Sequence, residues 1–494
     1  MPLLLALVFA CFLGIPARAA SDSVVLCDDI ADPVTLDPHH AFENKSDNII
    51  LQMFEGLLRF DSDGKIRPSL ATGCLQKDPL TLQCHIRKGV VFHDGEPLNA
   101  EAGRWSLSRQ LDPATGYPAA MELANIREVR VVDPYLVEIK TGYPDGLLPY
   151  RLASFVKILP PLYFSKVGAD KFAAAPIGTG PFRFARWEHG KFIELSANEN
   201  YWEKGVPRIK MLTFRFVPEA QQLELLYQGK LDLVTEIPAT KTLEVVRNSE
   251  TKIQKRLVLT TPAFWFTSFS GPFSDRRVRQ ALNLAVNKEQ LIHYAVLGNG
   301  KAIATLSMEG EIGHNAMLKP YSYSPRLAKQ LLRSAGYPNG LALTVLVAEQ
   351  AAREAKIIAA DWKKIGVEAQ LTILPLREVH LIMAQKRKEY DVSGNLAPNP
   401  TAHMYFLPGV CFYSHSLFSR MHSSEFDALY EKVLETIEPS AHSRLAEQLD
   451  AWIFREALGV FTYQKIRTYA MRRDLELTIP VTGVLDFKEA HWKH

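Results

Sequence analysis

LALTVLVAE (Leu341 to Glu349) and VEAQLTILP (Val367 to Pro375) are two apolar runs of strand length, separated by one helix-length segment. The intervening residues predict a helix from about Ala351 to Ile365, stopped by Gly366. Strand, helix and strand in this order specify a mixed α/β lobe rather than an all-α or all-β one.

The same alternation runs outward from this unit. Upstream, Val278, Ala281, Leu282 and Ala285 form one apolar helical stripe, and Asn287 with Gln290 reads as a capping box for the next helix. Ser324-Pro325 opens another helix with the stripe Leu327, Ala328, Leu331 and Leu332, ended by Gly336. Nearer the N-terminus the pattern turns to hairpins, with bends at Asp63-Gly64, Asp94-Gly95, Asp133-Pro134 and His189-Gly190. Helices are expected around Asn48 to Leu57, with Gly56 at its end, and over Pro218 to Gly229. Asn99 is placed to cap a third.

At 494 residues the chain needs two or three domains. Apolar residues make up 47% and charged residues 22%, a globular balance. A net charge of +3 gives no electrostatic case for nucleic acid. Pro2 to Gly14 is apolar and has the length of a signal core, and Ala17-Arg18-Ala19 follows, so cleavage is expected after Ala19. That leaves Cys27, Cys74, Cys84 and Cys411 in an oxidising compartment. Cys74 and Cys84 flank a turn at Lys77-Asp78-Pro79, and paired flanking strands would bring them face to face. Cys27 and Cys411 are not paired by any sequence signal.

Several motifs carry bland readings. FHDG (Phe92 to Gly95) is a turn before it is a catalytic pair. GTGP (Gly178 to Pro181) and GNGK (Gly298 to Lys301) lack the phosphate-loop pattern. His39, His40, His403, His415 and His422 show no metal-binding spacing, so no metal and no cofactor is assigned. No nucleophile motif marks an enzyme.

IGTGPFRF (Ile177 to Phe184), NENYW (Asn198 to Trp202), FSDRRVRQALNLAVNKEQLI (Phe273 to Ile292) and YSPRLAKQLLRSAGYPNG (Tyr323 to Gly340) occur in this order. EGLLRFDSDGKIRPSLA (Glu55 to Ala71) and IRKGVVFHDGEPLNAEA (Ile86 to Ala102) precede them. Together, behind a leader, they resemble the family 5 solute-binding proteins of bacterial ABC importers, the peptide-, nickel- and haem-type receptors. The resemblance implies an α/β two-lobe periplasmic binding protein fold of type II, cluster C-like, with an extra domain inserted in the first lobe. Its implied divisions are residues 1–19 as signal peptide, 24–58 with 176–262 and 470–494 as lobe I, 59–175 as the inserted domain, and 263–469 as lobe III.

The resemblance also implies a function: a periplasmic, monomeric receptor that encloses a small solute and hands it to the importer's permease subunits, without catalysis. An oligopeptide or peptide-like solute leads; a nickel chelate, haem or an oligosaccharide is the alternative, and a periplasmic hydrolase or a sensory module is the reading from another class. Ligand contact is expected from Phe42 and Asn44 after the first strand. Trp265 and Phe266 on the hinge strand TPAFWFTSFS (Thr261 to Ser270), and Asn395, Leu396, Ala397, His403 and Tyr405 in DVSGNLAPNPTAHMYF (Asp391 to Phe406), complete the set. Peptide receptors often carry a Trp and an amine-pairing Asp in the latter segment. Here Ser393 and Leu396 stand at those places, which argues against that amine contact because a buried ammonium would lack its carboxylate. Arg377 is a candidate carboxylate partner but reads better as a solvated surface residue.

Overall fold

The computed structural model describes residues 22–28, 32–41, 44–385 and 390–493, without the side chains of residues 44 and 45. The expected leader, Phe42 and the side chain of Asn44 lie outside the described residues.

Leu341–Ala348 and Val367–Leu374 pair in parallel from Leu341↔Val367 to Ala348↔Leu374. The helix between them, Ala352–Lys363, buries Ala355, Ile358 and Trp362, and Gly366 follows at φ 85°. Val392–Pro398 lies parallel on the other side of Leu341–Ala348, followed by Thr260–Phe266 and Gly459–Val460. This five-stranded sheet carries Phe264, Phe266, Val278, Leu282 and Trp362 in one core and Trp265, Ala397, Met404 and Tyr405 in another. Two predicted caps differ in detail. Asn287 caps through the Gln290 N–H, but its own N–H goes to Asp361 rather than back to the Gln290 side chain. Ser324 sits at the cap position of Pro325–Ser334 without a side-chain bond, and Pro325 starts that helix instead. Leu327, expected on its buried stripe, is exposed.

The larger sheet runs Thr251–Leu257, Tyr463–Arg472, Leu233–Val234, Ser23–Cys27, Met211–Arg215, Phe192–Ala197, Phe182–Glu188, with Gly300–Ala302 added along Tyr463–Arg472. The chain therefore leaves this sheet after Leu257 and enters the smaller one at Thr260. Apart from the short strand Gly300–Ala302, it returns between Val460 and Tyr463. The two crossings lie side by side: the Thr462 hydroxyl donates to the Pro262 carbonyl at 2.6 Å. The strand Tyr463–Arg472 lies wholly in the larger sheet, and the expected boundary at 469/470 falls inside it.

A third, antiparallel sheet orders Ala71–Asp78, Thr81–Ile86, Leu136–Thr141, Ile126–Asp133. It has its own core, including Leu57, Leu82, Ile86, Leu107, Val137, Ile139 and Leu152. Cys74 and Cys84 are opposite each other in the register and form a disulfide. Gly56 does not end a helix in the left-handed region; the helix stops at Met53. Gly56 is needed because a Cβ there would stand 2.5 Å from the Val156 carbonyl oxygen. Among the described residues no helix is long and apolar enough to cross a membrane.

Candidate functional site

Ligands of open α/β sheets bind beyond the carboxyl ends of parallel strands. In the larger sheet Ser23–Cys27 and Leu233–Val234 are parallel neighbours, and Thr235 to Thr240 continue from the second. In the smaller sheet the chain beyond Leu341–Ala348 leads to Arg353. These two ends meet around a cavity of about 280 Å³, lined by Glu236, Thr240, Asn299, Arg353, Lys465 and Thr468 among others. Glu236 pairs with Lys465 at 2.5 Å and with Arg467 at 3.5 Å. Burial alone would push the Glu236 carboxyl up, but the two cations outweigh it and hold it below its ordinary value. Arg353 donates to the Ala295 carbonyl at 3.2 Å. The lining thus joins side chains of the larger sheet to those of the helices Lys288–Val296 and Ala352–Lys363 of the other lobe, with more cationic than anionic groups.

The hinge strand separates its two aromatic residues as extended backbone requires. Phe266 is fully buried and stacks on Phe273 at 4.8 Å. It is a core residue of the helix-covered face. Trp265 points to the opposite face, 4% exposed. Its register partner is Ser393, and Ala263 pairs with Asn395, so Trp265, Ser393, Asn395 and Ala397 share that face. Trp265 Nε1, Ser393 Oγ and Asn395 Oδ1 are buried without a hydrogen-bond partner. Leu396 pairs with Pro262, on the alternate face, and is half-buried.

His403 and Tyr405 occupy a different place, the contact between the antiparallel unit and the smaller-sheet lobe. His403 Nε2 lies 2.7 Å from His442 Nε2. The Tyr405 N–H donates to His403 Nδ1 at 3.1 Å, and His442 Nδ1 stands 2.9 Å from the Thr436 carbonyl oxygen. One tautomer set satisfies all three contacts: His403 carries its proton on Nε2 and His442 on Nδ1, both rings neutral. Burial, then His442 and Arg151, hold the His403 imidazole well below its ordinary value. The Tyr405 hydroxyl donates to Glu122 at 3.0 Å, and Arg151 sits over its ring at 5.3 Å. Arg151 also meets Asp145 at 2.7 Å. Below this loop Glu311 accepts from Asn399 at 2.7 Å, and burial pushes its carboxyl up to about 8. Asp450, bonded to Thr305, is pushed by burial to about 7.

The structure therefore gathers Trp265, Asn395 and Ala397 on one face. It places Phe266 in the core and engages His403 and Tyr405 in an interdomain network. Sequence reasoning did not pick out Arg353, Lys465 or Thr468 as cavity-lining residues, since they come together only through the crossing of the sheets. Ser393 carried a signal: polar residues at 393 and 395 alternate with Gly394 and Leu396, the period of one strand face. Arg377, at the carboxyl end of Val367–Leu374, is exposed.

The sequence profile of bacterial extracellular solute-binding proteins, family 5, matches residues 65–412. This chain belongs to that family. Its members are the solute-binding components of ABC importers, and that is the role of this chain. Glutathione-binding protein GsiB of Salmonella typhimurium (strain LT2) is 28% identical over 365 residues, 73% of this chain and 70% of that protein. Among solved structures, the periplasmic binding protein AgaA of A. tumefaciens R10, in complex with agropinic acid, superposes with a TM-score of 0.80 at 23% identity, covering 96% of this chain and 99% of that one. DppA of Helicobacter pylori, in complex with the peptide STSA, also gives a TM-score of 0.80, at 22% identity with the same two coverages. These likenesses fix the two-lobe binding-protein fold.

Proposed function

We propose that this family 5 receptor captures a peptide-like solute between its two large lobes, in the periplasm and as a monomer, and releases it to the permease without chemical change. The carrying observation is the paired crossing at residues 258–259 and 461–462. Two adjacent extended segments join the sheets there, which suits hinge closure of one lobe on the other. A cavity lined by the larger sheet and by helices of the other lobe lies beside that joint. The peptide-like class is supported by relatives named as binding glutathione and as crystallised with a peptide. On this reading residues 59–175 form the inserted domain, residues 1–19 are removed on export, and the permease meets a surface that closure shapes.

Native mass spectrometry of protein purified from periplasm tests the proposal. A released adduct with a peptide mass is expected. A haem, nickel-chelate or oligosaccharide mass would replace the ligand class, and conversion of added peptide to fragments would replace the non-enzymatic reading.

A further inference from the structure

Three bodies close a ring in this chain. The two sheets are joined at the paired crossing, and the antiparallel unit touches the lobes of both. Its attachment to the larger-sheet lobe is the firmer one, because the chain enters the unit from that lobe and returns to it. Arg109 of the unit meets Asp37 at 2.7 Å, with both side chains nearly buried. The His93 N–H donates to the Gly178 carbonyl at 2.9 Å, and the Ile158 N–H to the Glu55 carbonyl at 2.9 Å. The chain never passes directly from the unit to the smaller-sheet lobe. There the contact is non-covalent throughout. The Gly146 N–H donates to the Leu434 carbonyl at 2.8 Å, the Ser154 hydroxyl to the Pro400 carbonyl at 3.0 Å, and the Tyr405 hydroxyl back to Glu122 at 3.0 Å. Leu147, fully buried, joins the core of the smaller-sheet lobe beside Tyr405 and Leu434. Turning one lobe away from the other at the crossing has to break this ring, and the side without a covalent joint is the one that gives.

We propose that the contact of Gly146, Leu147 and Ser154 with Pro400, Tyr405 and Leu434 is a closure latch, seated when the lobes shut and parted when they open. The fit is all-or-none. A Cβ on Gly146 would stand 2.0 Å from the Thr436 carbonyl oxygen, so the surfaces leave no slack for sliding, and packed contacts of this kind switch between discrete arrangements. The receiving loop is tied to the hinge itself: the Asn399 N–H donates to the carbonyl of Leu259, at the outgoing crossing, at 2.8 Å. Movement at the crossing therefore reaches the latch through one hydrogen bond. The antiparallel unit becomes a third jaw, riding with the larger-sheet lobe and gripping the smaller-sheet lobe in the closed form. The assignment rests on the hinge-closure reading above and adds the element that holds closure.

Hydrogen exchange read amide by amide on the mature, solute-free protein tests this. Two glycines of one segment serve as reporter and control. The Gly146 N–H bonds across the latch, and the Gly142 N–H bonds within the unit, to the Asn125 carbonyl at 2.9 Å. Lobe opening exposes the first without unfolding the second, so Gly146 is expected to exchange at least about tenfold faster, after correction for intrinsic rates. Leu147→Ala and the milder Ser154→Ala should speed Gly146 further, roughly tenfold for the former, and leave Gly142 unchanged. Equal protection of the two glycines in wild type and in both variants would overturn the latch and make the contact a permanent interface. The tightest-binding member of a synthetic pool of di- to pentapeptides is then added. It should slow Gly146 toward the rate of Gly142, and both variants should release it faster than wild type does. If no peptide in the pool slows Gly146 while the solute-free contrast holds, the peptide reading falls and the latch stands. If a peptide binds and Gly146 exchanges as before, the latch falls and capture stands.

Discussion

Gly146 has no room for a side chain. A Cβ there would stand 2.0 Å from the Thr436 carbonyl oxygen and 2.9 Å from His442 Nδ1, while its N–H bonds Leu434 at 2.8 Å. Gly146→Ala is therefore expected to cost about 2 kcal/mol through overpacking. Denaturant unfolding checks this, and a change within about 0.5 kcal/mol would mean that the antiparallel unit shifts without cost. The Cys74–Cys84 bridge closes a short loop, its cysteines ten residues apart, so the double Cys→Ser variant should lose roughly 2–3 kcal/mol. Unchanged melting with and without reductant would refute that value. Turn glycines such as Gly64 and Gly190 were legible because a two-residue bend between strands demands positive φ, and both have it. Gly56 was misread, since its requirement comes from Val156, a hundred residues away and invisible to local pattern.

At the scale of elements, the loop through Asn399 to Tyr405 is held between groups of opposite pH preference. The His403 and His442 imidazoles, faced by Arg151, Asp145, Glu122, Tyr150, Tyr405 and Tyr430, have folded values below 6.5. Their contribution is full above pH 6.5 and is lost as pH falls toward the folded values. Glu311 and Asp450 have folded values above their ordinary ones, about 8 and about 7. Their contribution is full below pH 4 and is lost as pH rises through those values. The two effects oppose each other below pH 6.5, and only the carboxyl limb acts between pH 6.5 and 8. Melting temperature against pH should therefore fall across that upper window. In Glu311→Gln the fall should shrink by up to about 1.4 kcal/mol per pH unit relative to wild type. Parallel wild-type and variant curves would remove Glu311 from the account. The strands and helices themselves were legible from period and capping. The His403–His442 contact was not, because its members are 39 residues apart on a loop and a helix and no spacing rule joins them.

For the whole molecule, a solute bound only by the closed lobes stabilises the folded state by mass action. At a hundredfold excess over Kd the gain is about 2.7 kcal/mol. Small-angle scattering should show a smaller radius of gyration on adding the tightest-binding peptide. Binding without compaction would dissociate capture from hinge closure. The two-lobe division was readable from the family-like order of segments. The return crossing was not, because Tyr463–Arg472 mixes apolar residues with Gln464, Lys465, Arg467 and Thr468, and only its pairing reveals which sheet it joins.

That same strand sets an order of assembly. Tyr463–Arg472 lies between Thr251–Leu257 and Leu233–Val234, so the sheet begun by residues 23–27 stays split until nearly the last residues are made. The antiparallel unit and the smaller-sheet lobe are each contiguous stretches and are complete before then. A chain emerging from its N-terminus finishes last the sheet it started first, and a truncation of the final thirty or so residues would leave two folded bodies tethered to an unsealed third.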